Sequence, residues 1–253
     1  MSNQYPSSDV PPPPHLQRVV VTLPSTPPLA TYTLMGITIA VFLLQYGTQA
    51  FLKYDFPVAL GAKINQAIVA GEYWRLITPV FLHGSLLHIG FNMYALYIFG
   101  RGLERSYGHG RFLLLYFLSG FGGNVFSMLF TDAPSLGAST AIFGLLGAQG
   151  VFIYQNKALF GNMTHRALKD IVSIAVINLV IGMSPGIDNW GHIGGLFAGV
   201  VFAWLSGPIF ALGEGFPQAK LIDQRGAHDV LLAAAITFGF FAFLAIGAIY
   251  LMG

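Results

Sequence analysis

The chain has 253 residues, of which 55% are hydrophobic and only 9% are charged. Soluble domains carry about 25% charged residues, so this chain lacks the polar surface that a soluble protein needs. It has no cysteine, which excludes disulfides, thiolate metal sites and cysteine nucleophiles, and its net charge of +2 is too small for a nucleic-acid surface. The composition predicts a polytopic membrane protein whose exterior faces lipid.

Residues 1–28 differ from the rest of the chain because they are rich in proline, with PPPP at Pro11–Pro14 and PSTPP at Pro24–Pro28. They predict a disordered or polyproline tail. The tail lacks the ordered parts of a secretory signal, so we expect the first apolar run to be a retained anchor.

Seven apolar segments follow, each long enough or nearly long enough to cross the hydrocarbon core, which takes about 20 residues. They are Leu29–Ala50, roughly Gly84–Gly100, Phe112–Thr131, Ser139–Tyr154, Ile171–Met183, Trp190–Ala211 and Val230–Met252. No Asp, Glu, Lys or Arg lies within any of them. The sequence predicts an all-α polytopic membrane protein, with a loop at residues 212–229 before the last span at 230–253.

The connection between the first two segments, residues 51–83, is unusually aromatic for a loop. It contains Tyr54, Phe56, Tyr73, Trp74 and Phe81. Because aromatic side chains favour the membrane interface, we expect this connection to lie in the outer leaflet.

The distribution of Lys and Arg predicts the orientation of the chain. Nine of these residues fall in the tail and in the loops after the second, fourth and sixth segments, against three in the first long loop. Since positive loops stay in the cytoplasm, the N-terminus is predicted to be cytoplasmic and the C-terminus outside.

Four polar residues fall at one predicted depth, although up to about a hundred residues of chain separate them. His88 and Asn92 lie in the first turns of the second segment, Ser139 begins the fourth, and His192 lies near the start of the sixth. These three segments run in the same direction. Polar groups at membrane depth usually face the bundle interior, so we expect all four to converge there.

The chemistry of these residues is complementary. A serine becomes a nucleophile when a base lies within about 2.6–3.2 Å, and His192 can be that base if the two helices nearly touch. Gly191, Gly195 and Gly199 recur every four residues, and such spacing lets helices approach closely. The same glycines also fit ordinary helix packing.

His88 and Asn92 are four residues apart on one predicted helix face and can both donate hydrogen bonds to one point, as an oxyanion hole requires. On the same helix, His83 would point about 140° away. We therefore expect His83 to have a structural role, such as a hydrogen bond to the first loop. An interhelical polar contact is the simpler alternative for His88 and Asn92.

The sequence lacks the residues that other classes of catalytic site use. Asp188 lies four residues before His192 and is expected in a loop, so a Ser–His dyad is predicted rather than a triad. There is no HExxH motif and no pair of intramembrane aspartates. No metal or cofactor is predicted.

At this point the sequence resembles the rhomboid family of intramembrane serine proteases over about residues 73–211. The resemblance rests on YWR (Tyr73–Arg75), HGSLLHIGFN (His83–Asn92), GLERSYG (Gly102–Gly108), GAS (Gly137–Ser139) and GHIGGLFAG (Gly191–Gly199). It implies a rhomboid-like six-helix bundle at residues 29–211, with the seventh helix as an added C-terminal span.

The resemblance also implies the roles of the site residues. Ser139 would be the nucleophile and His192 the general base, and the oxyanion hole would consist of His88, Asn92 and the Ser139 backbone N–H. Phe143 occupies the position of an aromatic that packs against the base, with Gly137 and the glycines around His192 in support. Two positions depart from the family pattern. Thr140 replaces the last glycine of GxSG, a change that can slow the reaction, and Gly191 replaces an alanine.

The predicted function is hydrolysis of single-pass membrane proteins in or near their transmembrane segments, close to the outer face of the plasma membrane. The partners would be transmembrane protein substrates and the lipid bilayer. Because His192 must be neutral to act as a base, we expect activity to fall as the pH drops through its pKa, ordinarily about 6.5. The alternatives are an inactive rhomboid relative that binds membrane clients and a small-solute transporter or channel.

Overall fold

The computed structural model describes residues 25–213 and 220–253. The predicted proline-rich tail lies almost entirely outside the described residues, as do residues 214–219 of the predicted loop. The described chain is a helical bundle. Its helices are α1 (Leu29–Leu52), α2 (Phe56–Gly61), α3 (Asn65–Val69), α4 (Leu86–Ala95), α5 (Arg101–Tyr107), α6 (His109–Phe130), α7 (Ser139–Gln155), α8 (Lys157–Phe160), α9 (Thr164–Ile181), α10 (Asn189–Ser206) and α11 (Ala227–Met252).

The helix formed by the second predicted segment continues beyond the apolar residues of that segment. A π-helical turn, Leu96–Gly100, joins α4 to α5 without a break, so one continuous helical rod spans residues 86–107. Glu104 lies in this extension and is fully buried, where its carboxylate accepts hydrogen bonds from the backbone N–H groups of Ala30 and Thr31, both at 2.7 Å. The free N–H groups of a helix start favour an anion, and Glu104 thereby fixes the beginning of α1.

Three helices among the described residues are long and apolar enough to cross a membrane by themselves, namely α1, α6 and α11. The fourth predicted segment forms the 17-residue helix α7, about 26 Å long. The fifth begins at Thr164 rather than Ile171, because the charged residues from Arg166 to Asp170 continue the helix beyond the apolar run.

The centre of the bundle consists of α6, α7 and α10, which pack most extensively against one another. Small residues make this possible. A Cβ at Gly195 would overlap the backbone carbonyl of Thr140, and a Cβ at Gly199 would overlap the backbone of Gly144. Backbone therefore packs against backbone between α7 and α10, as small-xxx-small spacing predicts.

The connection between α1 and α4, residues 53–85 and here named loop 1, is folded rather than extended. It contains α2, α3 and the 3-10 turns Tyr73–Leu76 and Thr78–Phe81. Tyr54, Tyr73 and Trp74 expose about half of their surface, as expected for side chains at a membrane interface. Loop 1 covers one end of the bundle, here named the loop-1 face.

The segment between α10 and α11 adds a feature that the helical prediction does not contain. Phe210–Leu212 pairs with Leu221–Asp223 as a two-stranded antiparallel ribbon at the opposite face of the bundle. The Arg111 side chain donates a 2.8 Å hydrogen bond to Asp223 and attaches this ribbon to α6.

Candidate active site

Ser139 is the first residue of α7 and lies at the end of the loop 131–138, here named the serine loop. Two backbone groups just before Ser139 are bound by loop 1. The Gly137 N–H donates to the Pro79 carbonyl at 2.9 Å, and the Ala138 N–H donates to His83 Nε2 at 3.4 Å. Gly137 has φ +132°, a backbone conformation that other residues rarely adopt.

His192 lies one turn into α10. Asp188 caps this helix, because its Oδ1 accepts the Gly191 N–H at 2.9 Å. Asp188 lies in the loop, as predicted, and is the last residue before α10, where it serves as the N-cap. The Nε2 atom of His192 lies 2.9 Å from Ser139 Oγ, and its ring stacks on Phe143 with centroids 4.3 Å apart and an interplanar angle of 11°. This packing fixes the imidazole plane.

Thr140 occupies a slot between α6 and α10. A Cβ at Gly123 would lie 2.6 Å from Thr140 Cβ, and a Cβ at Gly191 would lie 3.0 Å from Thr140 Cγ2. The two glycines thus make room for the side chain that departs from the family pattern. The Thr140 hydroxyl is buried and has no hydrogen-bond partner among the described residues.

His88 Nδ1 accepts the Gly84 N–H at 3.4 Å. In the neutral ring this leaves the proton on Nε2, which then acts as a donor. A Cβ built at Gly137 would lie 2.7 Å from His88 Nε2 and 3.5 Å from Ser139 Oγ, so the donor and the hydroxyl flank the same glycine.

Two further hydrogen-bond donors lie beside Ser139 and His88. The Asn92 side-chain nitrogen is buried without a partner in the part of the chain that the structure describes. The Ser139 N–H belongs to the first turn of α7, where N–H groups have no acceptor within the helix. The arrangement can supply three hydrogen bonds to an oxyanion.

The prediction that His83 lies on the same helix as His88 is wrong, because α4 begins at Leu86 and His83 precedes it. The two imidazole rings meet edge to face with centroids 4.9 Å apart. His83 also exchanges backbone hydrogen bonds with the Gln45 side chain, 3.0 and 3.1 Å long. It links α1, loop 1 and the serine loop.

A cavity of about 580 Å³ opens beside Ser139. His88, Asn92 and His192 line it. Its outer walls come from α4 and the π-helical turn that follows, through Phe91 and Phe99, and from α9, through Ile174 and Asn178. The lining is mainly apolar with a few convergent polar groups, which is typical of a ligand site. No three His, Asp or Glu side chains within residues 25–213 and 220–253 converge to hold a metal ion.

The chain is similar to known proteins over most of its length. Residues 70–212 match the family model of the Rhomboid domain. Over 224 residues the chain is 39% identical to "Rhomboid protease GluP" of Bacillus subtilis (strain 168), covering 88% of this chain and 40% of that protein. It is 36% identical over 219 residues to "RHOMBOID-like protein 6, mitochondrial" of Arabidopsis thaliana, covering 83% of this chain and 70% of that protein. A match to "RHOMBOID-like protein 9, chloroplastic" of the same plant is 38% identical over 162 residues, covering 64% and 37%.

The bundle is therefore that of a multi-pass integral membrane protein. The chain belongs to the rhomboid family, whose model covers more than half of it. It spans less than half the length of GluP and of the chloroplastic relative.

Proposed function

We propose that this protein is an intramembrane serine endopeptidase that cleaves single-pass membrane proteins in or near their transmembrane segments. The observation that carries the proposal is the 2.9 Å contact between Ser139 Oγ and His192 Nε2, at the wall of a cavity that also holds His88 and Asn92. The relationship to a curated rhomboid protease supports the same class of reaction.

In the proposed reaction, Ser139 Oγ forms a bond to the carbonyl carbon of the scissile peptide while His192 Nε2 accepts the hydroxyl proton. The negative charge that develops on the carbonyl oxygen is stabilised by His88, Asn92 and the Ser139 N–H. The C–N bond then breaks, and His192 gives its proton to the leaving amine. Water attacks the acyl carbon in the same way, and the Ser139 hydroxyl is regenerated.

His192 works in this scheme without a hydrogen-bonded carboxylate. Its Nδ1 atom is buried and has no partner among the described residues, although Asp188 lies one turn earlier. The stacked ring of Phe143 supplies the orientation that an aspartate supplies in a triad. Protonation of His192 removes the base, so cleavage is expected to decline in acid solution.

The cavity walls suggest where the substrate enters. Phe91 of α4 and Asn178 of α9 both line the cavity and are both exposed on the lateral surface of the bundle. No residue of α9 is buried, so α9 is less firmly packed than α6, α7 or α10. A transmembrane segment is proposed to reach Ser139 from the bilayer, between α4 and α9.

The proposed organisation is a tail at residues 1–28, a catalytic core at 29–211, a loop at 212–229 and an added helix at 230–253. The proposed location is the plasma membrane with the N-terminus in the cytoplasm, which sets Ser139 near the outer face. The excess of Lys and Arg in the loops opposite loop 1 supports this orientation.

The test is labelling of the purified protein in detergent with a fluorophosphonate probe, followed by mapping of the labelled peptide. The proposal predicts a stoichiometric adduct on Ser139, absent in Ser139→Ala and strongly slowed in His192→Ala. A folded wild-type protein that takes no label would contradict it and would favour an inactive family member that binds membrane clients.

A further inference from the structure

Lys63, in loop 1, has a completely buried side chain. Its Nζ donates hydrogen bonds to the carbonyl oxygens of Thr131, at 2.9 Å, and Ala133, at 3.0 Å. Its backbone also pairs with Ser135, through a 2.9 Å bond from the Lys63 N–H and a 3.1 Å bond from the Ser135 N–H. One residue of loop 1 therefore contacts three residues of the serine loop.

A buried ammonium group is costly unless hydrogen bonds replace its water. The chain provides these bonds at the C-terminus of α6, whose last carbonyl groups are unpaired within the helix and carry partial negative charge. Asn65 binds the same helix end, because its side-chain nitrogen donates to the carbonyl oxygens of Met128, at 3.2 Å, and Thr131, at 3.1 Å. Asn65 also donates to Asp132 Oδ1 at 3.4 Å, but of these two side chains only Lys63 reaches Ala133.

These contacts lie close to Ser139 along the chain, so they can affect its position. Ser135 precedes Ser139 by four residues, and the next bonds between the two loops are those of Gly137 to Pro79 and Ala138 to His83. Loop 1 thus holds the serine loop from the end of α6 to the residue before the nucleophile. A displacement of about 1 Å in a reacting group can cost about a hundredfold in rate.

We infer that Lys63 is a positioning residue, whose side chain holds the serine loop so that Ser139 Oγ meets His192. This inference rests on the proposed function, since it assigns Lys63 a part in the reactivity of Ser139. Lys63 itself lies outside the cavity and touches no reacting group.

Burial lowers the pKa of Lys63 from 10.5 to about 8, although the charges of Asp188 and Asp132 oppose this shift. Those two carboxylates are the charged groups that act on it. A neutral amine keeps two N–H donors, one for each of its carbonyl acceptors. We therefore expect the serine loop to stay fixed above pH 8.

The depressed pKa also predicts a dependence of stability on pH. Between about pH 8 and pH 10.5, the unfolded chain holds a proton on Lys63 that the folded chain has released. Stability rises with pH where the unfolded state binds more protons. The unfolding temperature of wild type, relative to that of Lys63→Met, should consequently rise with pH through this range.

The experiment compares Lys63→Met with Asn65→Leu in the full-length protein. Both changes remove a hydrogen bond to Thr131, and Asn65→Leu also removes those to Met128 and Asp132. Only Lys63→Met removes the side-chain contact with Ala133, which lies nearer to Ser139. Hydrogen exchange of residues 133–139 and the rate of fluorophosphonate labelling are measured at equal distance below each unfolding temperature. Lys63→Met is expected to raise exchange in the serine loop and to slow labelling about tenfold or more. Asn65→Leu should leave both within about twofold of wild type.

Equal effects of the two variants would overturn the inference, because they would mean a general loss of stability. Faster exchange with unchanged labelling would equally overturn it, since the loop would then not control Ser139. The exchange measurement does not depend on activity. If wild type takes no label, the proposed function fails. Unchanged hydrogen exchange in Lys63→Met would separately refute the inference that the Lys63 side chain holds the serine loop in place.

Discussion

Gly137 is the residue where backbone conformation and the geometry of the site are most closely joined. Its φ of +132° is strained for any other residue, and a Cβ would lie 2.7 Å from His88 Nε2. Gly137→Ala is therefore expected to displace His88 and to slow labelling of Ser139 about tenfold or more.

Gly71→Ala is the matched control for that substitution. Gly71 also has a positive φ, +106°, but nothing lies within 4 Å of the Cβ that would be added. Both variants carry a similar conformational cost of about 1–2 kcal/mol, so only Gly137→Ala should affect labelling beyond its effect on the unfolding temperature. Equal labelling rates in the two variants would contradict the placement of His88.

Thr140 gives a second prediction for a single side chain. Its methyl group fills the slot beside Gly123 and Gly191, but its hydroxyl is buried without a partner among the described residues. Removal of an unsatisfied buried hydroxyl at constant shape is expected to stabilise the protein by about 1 kcal/mol. Thr140→Val should therefore unfold at a higher temperature and keep its rate of labelling, whereas Thr140→Gly should lose stability.

The outcome for Thr140→Val also decides whether the hydroxyl takes part in catalysis. A loss of turnover in Thr140→Val that Thr140→Ser does not share would mean that the hydroxyl binds substrate or water. In that case the role assigned to Thr140 as a packing residue is wrong.

At the scale of single residues, the sequence predicts which catalytic residues are paired better than it predicts how an individual side chain is packed or buried. Ser139 and His192 could be paired because their helices start at one depth and carry glycine. The slot for Thr140 could not be predicted, because it requires Gly123 of a third helix. The burial of Lys63 was also missed, since nothing in the sequence distinguishes it from the exposed Lys53 of the same connection.

At the scale of the helices, α4 and α9 form the lateral walls of the cavity, and their separation is proposed to admit substrate. The chain has no cysteine, so a pair of cysteines can be introduced without background. Phe91→Cys with Asn178→Cys places one thiol on each wall, at similar distances from the loop-1 face. A bis-maleimide that joins them should block cleavage of a membrane-protein substrate.

The same crosslinked protein provides its own control. A small fluorophosphonate probe should still label Ser139 in it, because the cavity remains open to a molecule that needs no lateral gap. The two single-cysteine variants, treated with the same reagent, should keep cleaving. Undiminished cleavage by the crosslinked protein would show that substrate enters elsewhere.

Helix existence could be predicted from apolar length, but helix ends could not. The charged residues at the start of α9 interrupt hydropathy without interrupting the helix, because they lie near the bundle surface. Glu104 is the opposite case, a carboxylate that the helix start of α1 makes stable in a buried place. The start of α4 at Leu86 removed the helical geometry that had been assumed for His83.

For the whole molecule, the predicted orientation has a direct test. Ser184 lies in the loop before α10, at the loop-1 face, and Asn162 lies between α8 and α9, at the opposite face; both are exposed. A membrane-impermeant maleimide added to intact cells should label Ser184→Cys. Asn162→Cys should react only after the membrane is permeabilised, and the reverse pattern would invert the proposed topology.

Ser139 and His192 are proposed to hydrolyse a peptide bond together within the membrane. The most direct measurement is cleavage of a single-pass model substrate by purified protein, comparing wild type with Ser139→Ala and His192→Ala. Cleavage by wild type alone is expected, with both variants folded and inactive. Equal cleavage by all three proteins would contradict it, because the reaction would then belong to another site.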